Sequence, residues 1–335
     1  MLTHQNLSAN ARQVARLDPE IGTRHDRILG VLPLFHVFAN TCVMNSTIVT
    51  GGEIVLLPRF DAGQALATIA RTRPNALPGV PTMFQALLDH PRRARTDLSS
   101  IQYCISGGAP LPPELKTRFE AATGATLIEG YGLSESSGVV AANPYRGAGK
   151  DGSIGQPIQG TRIRLVDKED PTRPPPGGDA GEIVIAGPQI MAGYWRRPDA
   201  DTFVTDAAGT RWLRTGDVGA IDDDGFVCIV DRLKDMIAVG GFKVFPSQIE
   251  ARLYAHPAIK EALVIGVPDA YRGEHPRAYV TLNDGAEVDG DALTQWLNPQ
   301  LGKHERVDSV VVRETMPKTM IGKLSRKDLI AEVLG

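Results

Sequence analysis

Apolar runs alternate with segments of helical spacing over the first 150 residues of the chain. Buried strands are predicted at 28–32, 54–57 and 101–105. Helices are predicted at 37–50, 62–71, 81–89 and 112–123. Proline at 74 stops the second of these helices, and Gly124 closes the last. Strands that alternate with helices at this pitch favour a parallel α/β architecture.

The pattern changes twice further along the chain. Short β segments separated by glycine and proline are predicted at 161–166, 182–186 and 227–230. Beyond residue 235, helices are predicted at 246–254 and 290–297, with strands at 262–267, 277–282 and 309–312. We therefore expect a β-rich subdomain at about 148–231 within a first domain at 1–231, and an α+β domain at 232–335, roughly 100 residues long as ordinary domains are.

Composition narrows the class of protein. The chain is 42% hydrophobic and 22% charged, which is ordinary for a globular protein. Its net charge of −3 gives no global basic field for nucleic acid, and its apolar stretches are too short to span a bilayer. The widely spaced cysteines 42, 104 and 228 suggest neither a disulfide framework nor a zinc site, so a cytoplasmic location is expected.

A glycine-rich segment follows a predicted strand and precedes a predicted helix. Its sequence is Ser106-Gly-Gly-Ala-Pro110. Glycines at the carboxyl end of a strand let a flat ligand or a phosphate approach the backbone closely. A tight turn between strand and helix would read the same way, so both interpretations stay open.

A second segment, Glu129-Gly-Tyr-Gly-Leu-Ser-Glu135, places an aromatic ring, a hydroxyl and a carboxylate within five residues. Tyr131 can stack on a base and Ser134 can bond a phosphate oxygen. Glu135 can hold a hard cation such as Mg²⁺, which neutralises phosphate charge. The alternative is a glycine-rich turn with a surface glutamate.

Two later segments add charged groups. Asp217, in Trp212-Leu-Arg-Thr-Gly-Asp217, can accept hydrogen bonds from a ribose diol. Lys323, which ends Pro317-Lys-Thr-Met-Ile-Gly-Lys323, is a cation that can reach an oxygen where charge develops. A lone lysine in a polar loop is more commonly just solvated.

Taken together, these segments resemble the adenylate-forming superfamily of acyl-CoA synthetases, peptide-synthetase adenylation domains and beetle luciferases. The resemblance covers nearly the whole chain in the same order. It extends to Pro33-Leu-Phe-His36, Gly79-Val-Pro-Thr-Met83, Gly152-Ser-Ile-Gly155, Gly193-Tyr-Trp195 and Asp231-Arg-Leu-Lys-Asp235. It implies the later part of a large AMP-binding domain, α/β with a β-rich subdomain, followed by a mobile α+β lid domain.

The resemblance also implies roles for individual residues. The nucleotide would contact Gly107, Gly108, Ala109, Pro110, Glu129, Gly130, Tyr131, Gly132, Asp217 and Arg232. Ser134 would lie near the α-phosphate, Glu135 would associate with Mg²⁺, and Lys323 would stabilise the pentacoordinate phosphate. Lys234 resembles the hinge pivot. The coenzyme A tunnel would be lined by Gly240, Gly241 and Phe242.

The family's chemistry has two steps. A carboxylate attacks the α-phosphate of ATP to give an acyl-adenylate and pyrophosphate, and the thiol of coenzyme A then displaces AMP. The resemblance implies that the lid rotates between the steps, so that Lys323 leaves and the thiol tunnel forms. The expected partners are therefore ATP, coenzyme A and a small carboxylic acid.

The sequence narrows the class of carboxylic acid expected as the substrate. Peptide-synthetase domains commonly hold an amino group with an aspartate in the segment that matches 35–38, and this chain has no carboxylate there. His36, Val37, Phe38 and Val139, with Val140, would form an apolar acyl pocket. His36 resembles a gating aromatic residue, although a packed core histidine is the alternative. Segments 234–237 and 241–246 most resemble fatty-acid and pimelate-type CoA ligases, so we expect a medium- or long-chain fatty acid or a similar acid.

One departure from the family is large. Its members carry a Ser/Thr/Gly-rich loop that grips the β- and γ-phosphates, just before the segment that matches 1–4. We therefore expect the preceding α/β half, on the order of 150–200 residues, to be absent, with sheet edges and helix faces exposed. An incompetent fragment or a nucleotide-binding remnant is the alternative function. A dinucleotide oxidoreductase is disfavoured, because no G-x-G-x-x-G turn opens the first βαβ unit.

Overall fold

The computed structural model describes residues 1–18, 20, 25–178, 180–197, 201–319 and 322–335. They form two compact units. The first comprises Met1–Thr215 with Ala220–Ile229, and the second comprises Gly216–Gly219 with Val230–Gly335. The domain limits predicted near 147 and 231 stay predictions. Among the described residues, no helix is long and apolar enough to cross a membrane.

A sheet of seven described strands forms the centre of the first unit. Its strands are β1 (Arg27–Gly30), β2 (Glu53–Leu56), β3 (Ala76–Gly79), β4 (Tyr103–Ser106), β5 (Thr126–Tyr131), β6 (Ala141–Ala142) and β7 (Gln156–Pro157). Their spatial order is β2-β1-β3-β4-β5-β6-β7. The pairs from β2 to β5 are parallel and the last two are antiparallel. The predicted parallel α/β architecture is confirmed.

The helices of this unit lie largely where the apolar spacing predicts. They are α1 (His4–Ala15), α2 (Val37–Ala39), a π-helical segment (Asn40–Asn45), α3 (Ser46–Thr50), α4 (Ala62–Thr72), α5 (Pro81–Asp89) and α6 (Pro113–Thr123), with 3-10 turns at Pro91–Arg95, Ser134–Ser136 and Pro176–Gly178. Gly124 ends α6 in the left-handed conformation, as predicted. The spacing did not reveal α1, because two of its buried positions are the polar residues Asn10 and Gln13.

The core of the first unit packs helices α4 to α6 against the sheet. Leu66, Ile69 and Leu127 are fully buried there. Phe84 of α5 and Phe119 of α6 are also buried, and their rings meet edge to face with centroids 5.0 Å apart.

One edge of this sheet is exposed. Strand β2 lies at the end of the strand order, and Leu56 on it is 59% exposed. Nearby in the chain, Ile48 of α3 is 69% exposed. That an absent preceding half would cover these residues stays a prediction.

A second sheet follows in the chain. Its described strands are β8 (Arg162–Val166), β9 (Gly181–Ala186), β10 (Phe203–Thr205), β11 (Arg211–Ile221) and β12 (Val227–Arg232). The order is β10-β11-β9-β8, with β12 paired to β11. Strands β11 and β12 contribute residues to both units.

The second unit contains its own sheet and core. The strands are β13 (Ile237–Val239), β14 (Phe242–Val244), β15 (Ile259–Asp269), β16 (Gly273–Leu282) and β17 (Val310–Val312); the helices are α7 (Pro246–Tyr254), α8 (Gly290–Leu297) and α9 (Arg326–Leu334), with 3-10 turns at Leu233–Asp235 and Asn298–Gln300. The order is β14-β13-β16-β15, with β17 beside β16. Ile249, Val264 and Leu297 belong to a buried cluster between the helices and this sheet.

The ring of Phe84 should be a large contributor to the stability of the first unit. Phe84→Ala would leave a cavity against Phe119 and should lower the free energy of unfolding by about 3–5 kcal/mol. Phe35→Ala is the control, since Phe35 is 75% exposed and its loss should change stability by no more than about 0.5 kcal/mol. Urea unfolding followed by circular dichroism measures both, and equal effects would contradict this account of the core.

Candidate functional site

The candidate nucleotide residues follow adjacent strand ends of the first sheet. The register of β3, β4 and β5 sets Gly79 beside Ser106 and Ser106 beside Glu129. The amide of Gly107 donates to the carbonyl oxygen of Gly79 at 3.2 Å, which continues the ladder into the loop. The glycine-rich segment and the start of the Glu129–Glu135 segment therefore lie at the same sheet edge, where ligands of open α/β sheets bind.

Close backbone packing explains the glycines of the loop after β4. A Cβ added at Gly107 would lie 3.3 Å from the ring of Phe38 and 3.4 Å from the carbonyl oxygen of Gly130. Gly108 has φ +80°, a left-handed conformation that favours glycine. Gly108 and Pro110 are exposed, whereas Ala109 is half-buried. The loop thus presents backbone atoms toward open space at the strand ends.

Ser106, the last residue of β4, is a polar residue for which the sequence predicted no role of its own. Its side chain is fully buried, and its hydroxyl has no hydrogen-bond partner among the described residues. Buried hydroxyls in proteins almost always have a partner, so an unsatisfied one at a strand end is typical of a site that binds a ligand or water.

The side chain of Glu129 contacts the loop itself. Its carboxylate accepts a hydrogen bond from the backbone of Leu111, with Asp151 and Lys116 nearby. The pKa of Glu129 is raised from 4.5 to about 7, chiefly by desolvation and also by Asp151, against the opposing effects of the Leu111 amide and Lys116. Glu129 is therefore placed to hold the loop at Leu111.

The turn after β5 is tightly packed. A Cβ at Gly132 would lie only 1.4 Å from the carbonyl oxygen of Gly138. The 3-10 turn that carries Ser134 and Glu135 is closed by Ser136, whose hydroxyl accepts from the amide of Leu133 at 3.0 Å. Tyr131 is half-buried and Ser134 is exposed. The backbone therefore fixes the direction in which this segment presents its side chains.

Tyr194 holds the carboxylate of Glu135. The tyrosine hydroxyl donates to Glu135 Oε1 at 2.6 Å, and the amide of Met191 donates to the Glu135 carbonyl oxygen at 2.8 Å. On its other side, the same segment pairs with Met1, whose ammonium donates to the carbonyl oxygen of Gly193 at 2.6 Å. Tyr194 was named in the sequence only as part of a resembling segment, because its contact with Glu135 spans 59 positions.

Glu135 suits a magnesium ion that is shared with a nucleotide. Mg²⁺ is typically bound by one or two carboxylates together with substrate phosphates. Glu135 supplies hard oxygen donors, is half-buried, and has one oxygen fixed by Tyr194. No group of three or more His, Cys, Asp or Glu side chains among the described residues could hold a metal by itself. The donor chemistry fits a site completed by phosphate.

The predicted acyl-pocket residues are partly brought together. Val139 is buried in a cluster against which Phe38 packs. Val140 belongs to a different buried cluster. His36 is the N-cap of α2, and its Nδ1 accepts from the amide of Phe38 at 3.2 Å. Val37 is half-buried. The gating role of His36 stays a prediction.

Asp217 and Arg232 form an ion pair in the second unit. Arg232 Nε donates to Asp217 Oδ1 at 2.5 Å, and Asp217 is nearly fully buried while the arginine is more than a third exposed. The aspartate is therefore oriented by an arginine, and the contact of this pair with a nucleotide stays a prediction.

Lys323 belongs to a hydrogen-bonded turn in the same unit. Met320 and Ile321 of its segment lie outside the described residues. The amide of Thr319 donates to the carbonyl oxygen of Lys323 at 2.7 Å, and the amide of Gly322 donates to that of Thr319 at 2.9 Å. The pKa of Lys323 is lowered, first by desolvation from surrounding protein and then by Arg232, while Asp217 and Asp235 raise it. The lysine is thus within electrostatic range of the Asp217–Arg232 pair.

The hinge and tunnel residues also lie in the second unit. Lys234 is exposed in the 3-10 turn Leu233–Asp235. Gly240 and Gly241, with φ +56° and +85°, form a two-residue hairpin turn between β13 and β14, for which glycine pairs are favoured. Phe242 is exposed and stacks on the His304 ring, with centroids 4.9 Å apart. Their roles in hinge motion and thiol access stay predictions.

Comparison with known proteins identifies the family. The family model described as AMP-binding enzyme matches residues 1–195, and the one described as AMP-binding enzyme C-terminal domain matches residues 248–323. The chain therefore belongs to the AMP-binding enzyme family, as its motifs predicted.

Several relatives are similar over nearly the whole chain. A long-chain-fatty-acid–CoA ligase of Bacillus subtilis is 42% identical over 332 residues, covering 99% of this chain and 59% of the relative. A feruloyl-CoA synthase of Amycolatopsis is 38% identical over 330 residues, covering 98% and 66%. The structure of ATP-bound MatB from Rhodopseudomonas palustris has a TM-score of 0.89 at 33% identity, covering 99% of this chain and 64% of that one. The chain thus spans about three fifths of the length of the fatty-acid ligase.

Gly132 should tolerate no side chain. Gly132→Ala would force its Cβ into the Gly138 carbonyl, so we expect the 129–135 turn to shift and the thermal transition to fall. Gly124→Ala is the control: Gly124 has φ +74°, unlike Gly132, but nothing lies within 4 Å of a Cβ there. The control should cost only about 1 kcal/mol. Equal losses measured by thermal unfolding would contradict the close packing.

Glu129 should make the stability of the first unit pH-dependent. Because its folded pKa of about 7 lies above the ordinary 4.5, the folded state binds more protons between these values. Its contribution to stability therefore falls as pH rises through that window. Glu129→Gln keeps an acceptor for the Leu111 amide without the charge.

The variant should be more stable than the wild type above pH 7 and should approach it near pH 4.5. Urea unfolding of both proteins at matched pH values measures the difference in their free energies of unfolding. The contributions of other titrating groups cancel in this difference. A difference that does not change with pH would show that Glu129 is solvated in the folded state.

Proposed function

We propose that this chain provides the adenylate-handling and thioester-forming residues of an ATP-dependent acid–CoA ligase. A carboxylic acid would first be joined to AMP, with release of pyrophosphate. The thiol of coenzyme A would then displace AMP to give the thioester. Adenylation is needed because a carboxylate is a poor electrophile, whereas AMP is a good leaving group.

The observation that carries this proposal is the set of charges around Lys323. Lys323 lies within electrostatic range of the buried Asp217 and of Arg232. An acidic group for a ribose diol beside a lysine for a reacting phosphate is the arrangement that adenylation needs. Lys323 is exposed at the surface, and its pKa is lowered by the surrounding protein and by the neighbouring charge of Arg232.

Residues of the first unit would also bind the nucleotide. Gly107 to Pro110 and Tyr131 would form the wall for adenine, with Ser134 at the α-phosphate. Glu135, oriented by Tyr194, would hold Mg²⁺ together with the nucleotide phosphates. The ion, when bound, neutralises phosphate charge and so lowers the barrier to attack by a carboxylate.

We propose a medium- or long-chain fatty acid as the substrate. The apolar residues Phe38 and Val139 pack together, and segment 35–38 has no carboxylate to pair with an amino group. A relative that is a long-chain-fatty-acid–CoA ligase supports this choice, while the feruloyl-CoA synthase makes an aromatic acid the runner-up. A panel of octanoate, palmitate and ferulate, assayed for thioester formation, separates the two.

Lys323 should be required for the first step. Lys323→Ala should lower ATP–pyrophosphate exchange by roughly 10²- to 10³-fold, as loss of one preorganised charge at a transition state does. Lys318→Ala is the matched control, because Lys318 belongs to the same loop but pairs with Glu261 at 2.5 Å. Equal loss in the two variants would contradict the proposed role.

Ligand-dependent unfolding tests whether this chain acts alone. An acyl-adenylate mimic that binds the native state raises the thermal transition according to RT ln(1 + [L]/Kd). A shift with the mimic but no exchange with any acid would favour the nucleotide-binding remnant over the ligase. No shift with the mimic and no exchange would sink the proposed function.

A further inference from the structure

Arg326 connects the start of α9 to three other segments of the second unit. It lies three residues after Lys323 and is the first residue of the helix. Its guanidinium donates to Asp235 Oδ2 at 2.7 Å, to Glu250 Oε1 at 2.5 Å and to the Val264 carbonyl oxygen at 3.0 Å. Only 17% of its side chain is exposed. A guanidinium whose donors are met by two carboxylates and a carbonyl is held in one geometry.

Each partner of Arg326 is itself fixed. Asp235 closes the 3-10 turn that contains Lys234. Glu250 lies on α7 and also accepts from the amide of Val264 on β15 at 2.8 Å. The arginine therefore fastens α9 at once to the turn, to the helix and to the sheet.

The loop that carries Lys323 has little freedom of its own. Its two ends are joined by the bond from the Ser325 amide to the Pro317 carbonyl oxygen, at 2.9 Å. Within it, the amide of Lys323 donates to Thr319 Oγ1 at 3.2 Å. The chain runs from Lys323 through Leu324 to Ser325, the N-cap of α9, so the position of the first helical residue constrains the position of Lys323.

We propose that Arg326 is a positioning residue for Lys323. By binding Asp235 and Glu250, it fixes the lysine loop relative to the turn at 233–235, and so holds the ammonium where adenylation needs it. This inference rests on the proposed function for its catalytic consequence. Its structural part, the anchoring of the loop, stands on the contacts alone.

Two variants remove the anchor to different degrees. Arg326→Met keeps an unbranched apolar side chain but loses all three bonds. Asp235→Asn is the less disruptive variant, because Arg326 keeps its bonds to Glu250 and Val264. It is included because breaking a buried ion pair completely can prevent folding. Arg326→Lys keeps the charge without the planar fork and should restore part of the function.

The matched control is Arg313→Gln. Arg313 donates to Glu332 of α9 at 2.7 Å, so this variant also removes an arginine–carboxylate bond to that helix. Among the described residues, Arg313 makes no hydrogen bond to the lysine loop or to the 233–235 turn, so we expect the loop to be unaffected.

Two measurements read the result. Hydrogen exchange of the described loop amides, those of Thr319, Gly322, Lys323 and Ser325, should accelerate about tenfold or more in Arg326→Met and less in Asp235→Asn, since local opening sets exchange. Adenylation should fall by about 100-fold in Arg326→Met, as misplacement by about 1 Å does. Transfer of a supplied acyl-adenylate to coenzyme A should stay near the wild-type rate, because Lys323 serves the first step.

The outcomes separate this inference from the proposed function. Accelerated loop exchange in the two anchor variants but not in Arg313→Gln supports the anchoring, even where the wild-type chain makes no adenylate. Unchanged loop exchange overturns it whatever the activity. Where the wild type is active, equal loss in both half-reactions also overturns the positioning role, because it shows general destabilisation.

Discussion

The hydrogen-bonded register of β3, β4 and β5 is the constraint on which the first unit's candidate site depends. It aligns Gly79, Ser106 and Glu129 across adjacent parallel strands, so the segments that follow the strands begin at one edge. A shift of the pairing by one residue would turn alternate side chains to the opposite face of the sheet. The glycines then let the backbones of neighbouring loops approach, as Gly132 does against the carbonyl of Gly138.

Buried polar contacts make this edge specific rather than merely compact. Asn10 of α1 is fully buried and forms a reciprocal pair of hydrogen bonds with the backbone of Val139, at 2.7 and 2.9 Å. That pair fixes the chain just after the Glu129–Glu135 turn. Tyr194 then fixes the carboxylate of Glu135. Because a buried polar group that loses its partner is costly, such contacts admit few alternative arrangements.

Much of this could be predicted from the sequence where the relevant pattern is local. The bounds of α5, α7 and α8 follow from proline starts, apolar spacing and caps, and the predicted and observed limits agree. The motif at 129–135 is local too, because its groups lie within one turn. Helix α1 was missed because buried Asn10 and Gln13 interrupt its apolar face.

Residues that act through distant partners could not be found in this way. Tyr194 and Glu135 are 59 positions apart, and Arg326 and Asp235 are 91 apart. No spacing rule connects such pairs. Glu129 is a local case in which the motif alone does not reveal the contact that is made. Its place in the motif predicts a nucleotide contact, whereas its desolvated carboxylate accepts a hydrogen bond from the Leu111 amide.

The cations near Lys323 differ in how far carboxylates neutralise them. Arg232 is neutralised by Asp217, and Arg326 by Asp235 and Glu250. Within the part of the chain that the structure describes, the ammonium of Lys323 forms no such ion pair within 4 Å. Its charge is therefore compensated less than those of Arg232 and Arg326, and the surrounding protein lowers its pKa although the residue is exposed. Arg326 thus fixes the start of α9, while the ammonium of Lys323 is left without a carboxylate partner among the described residues.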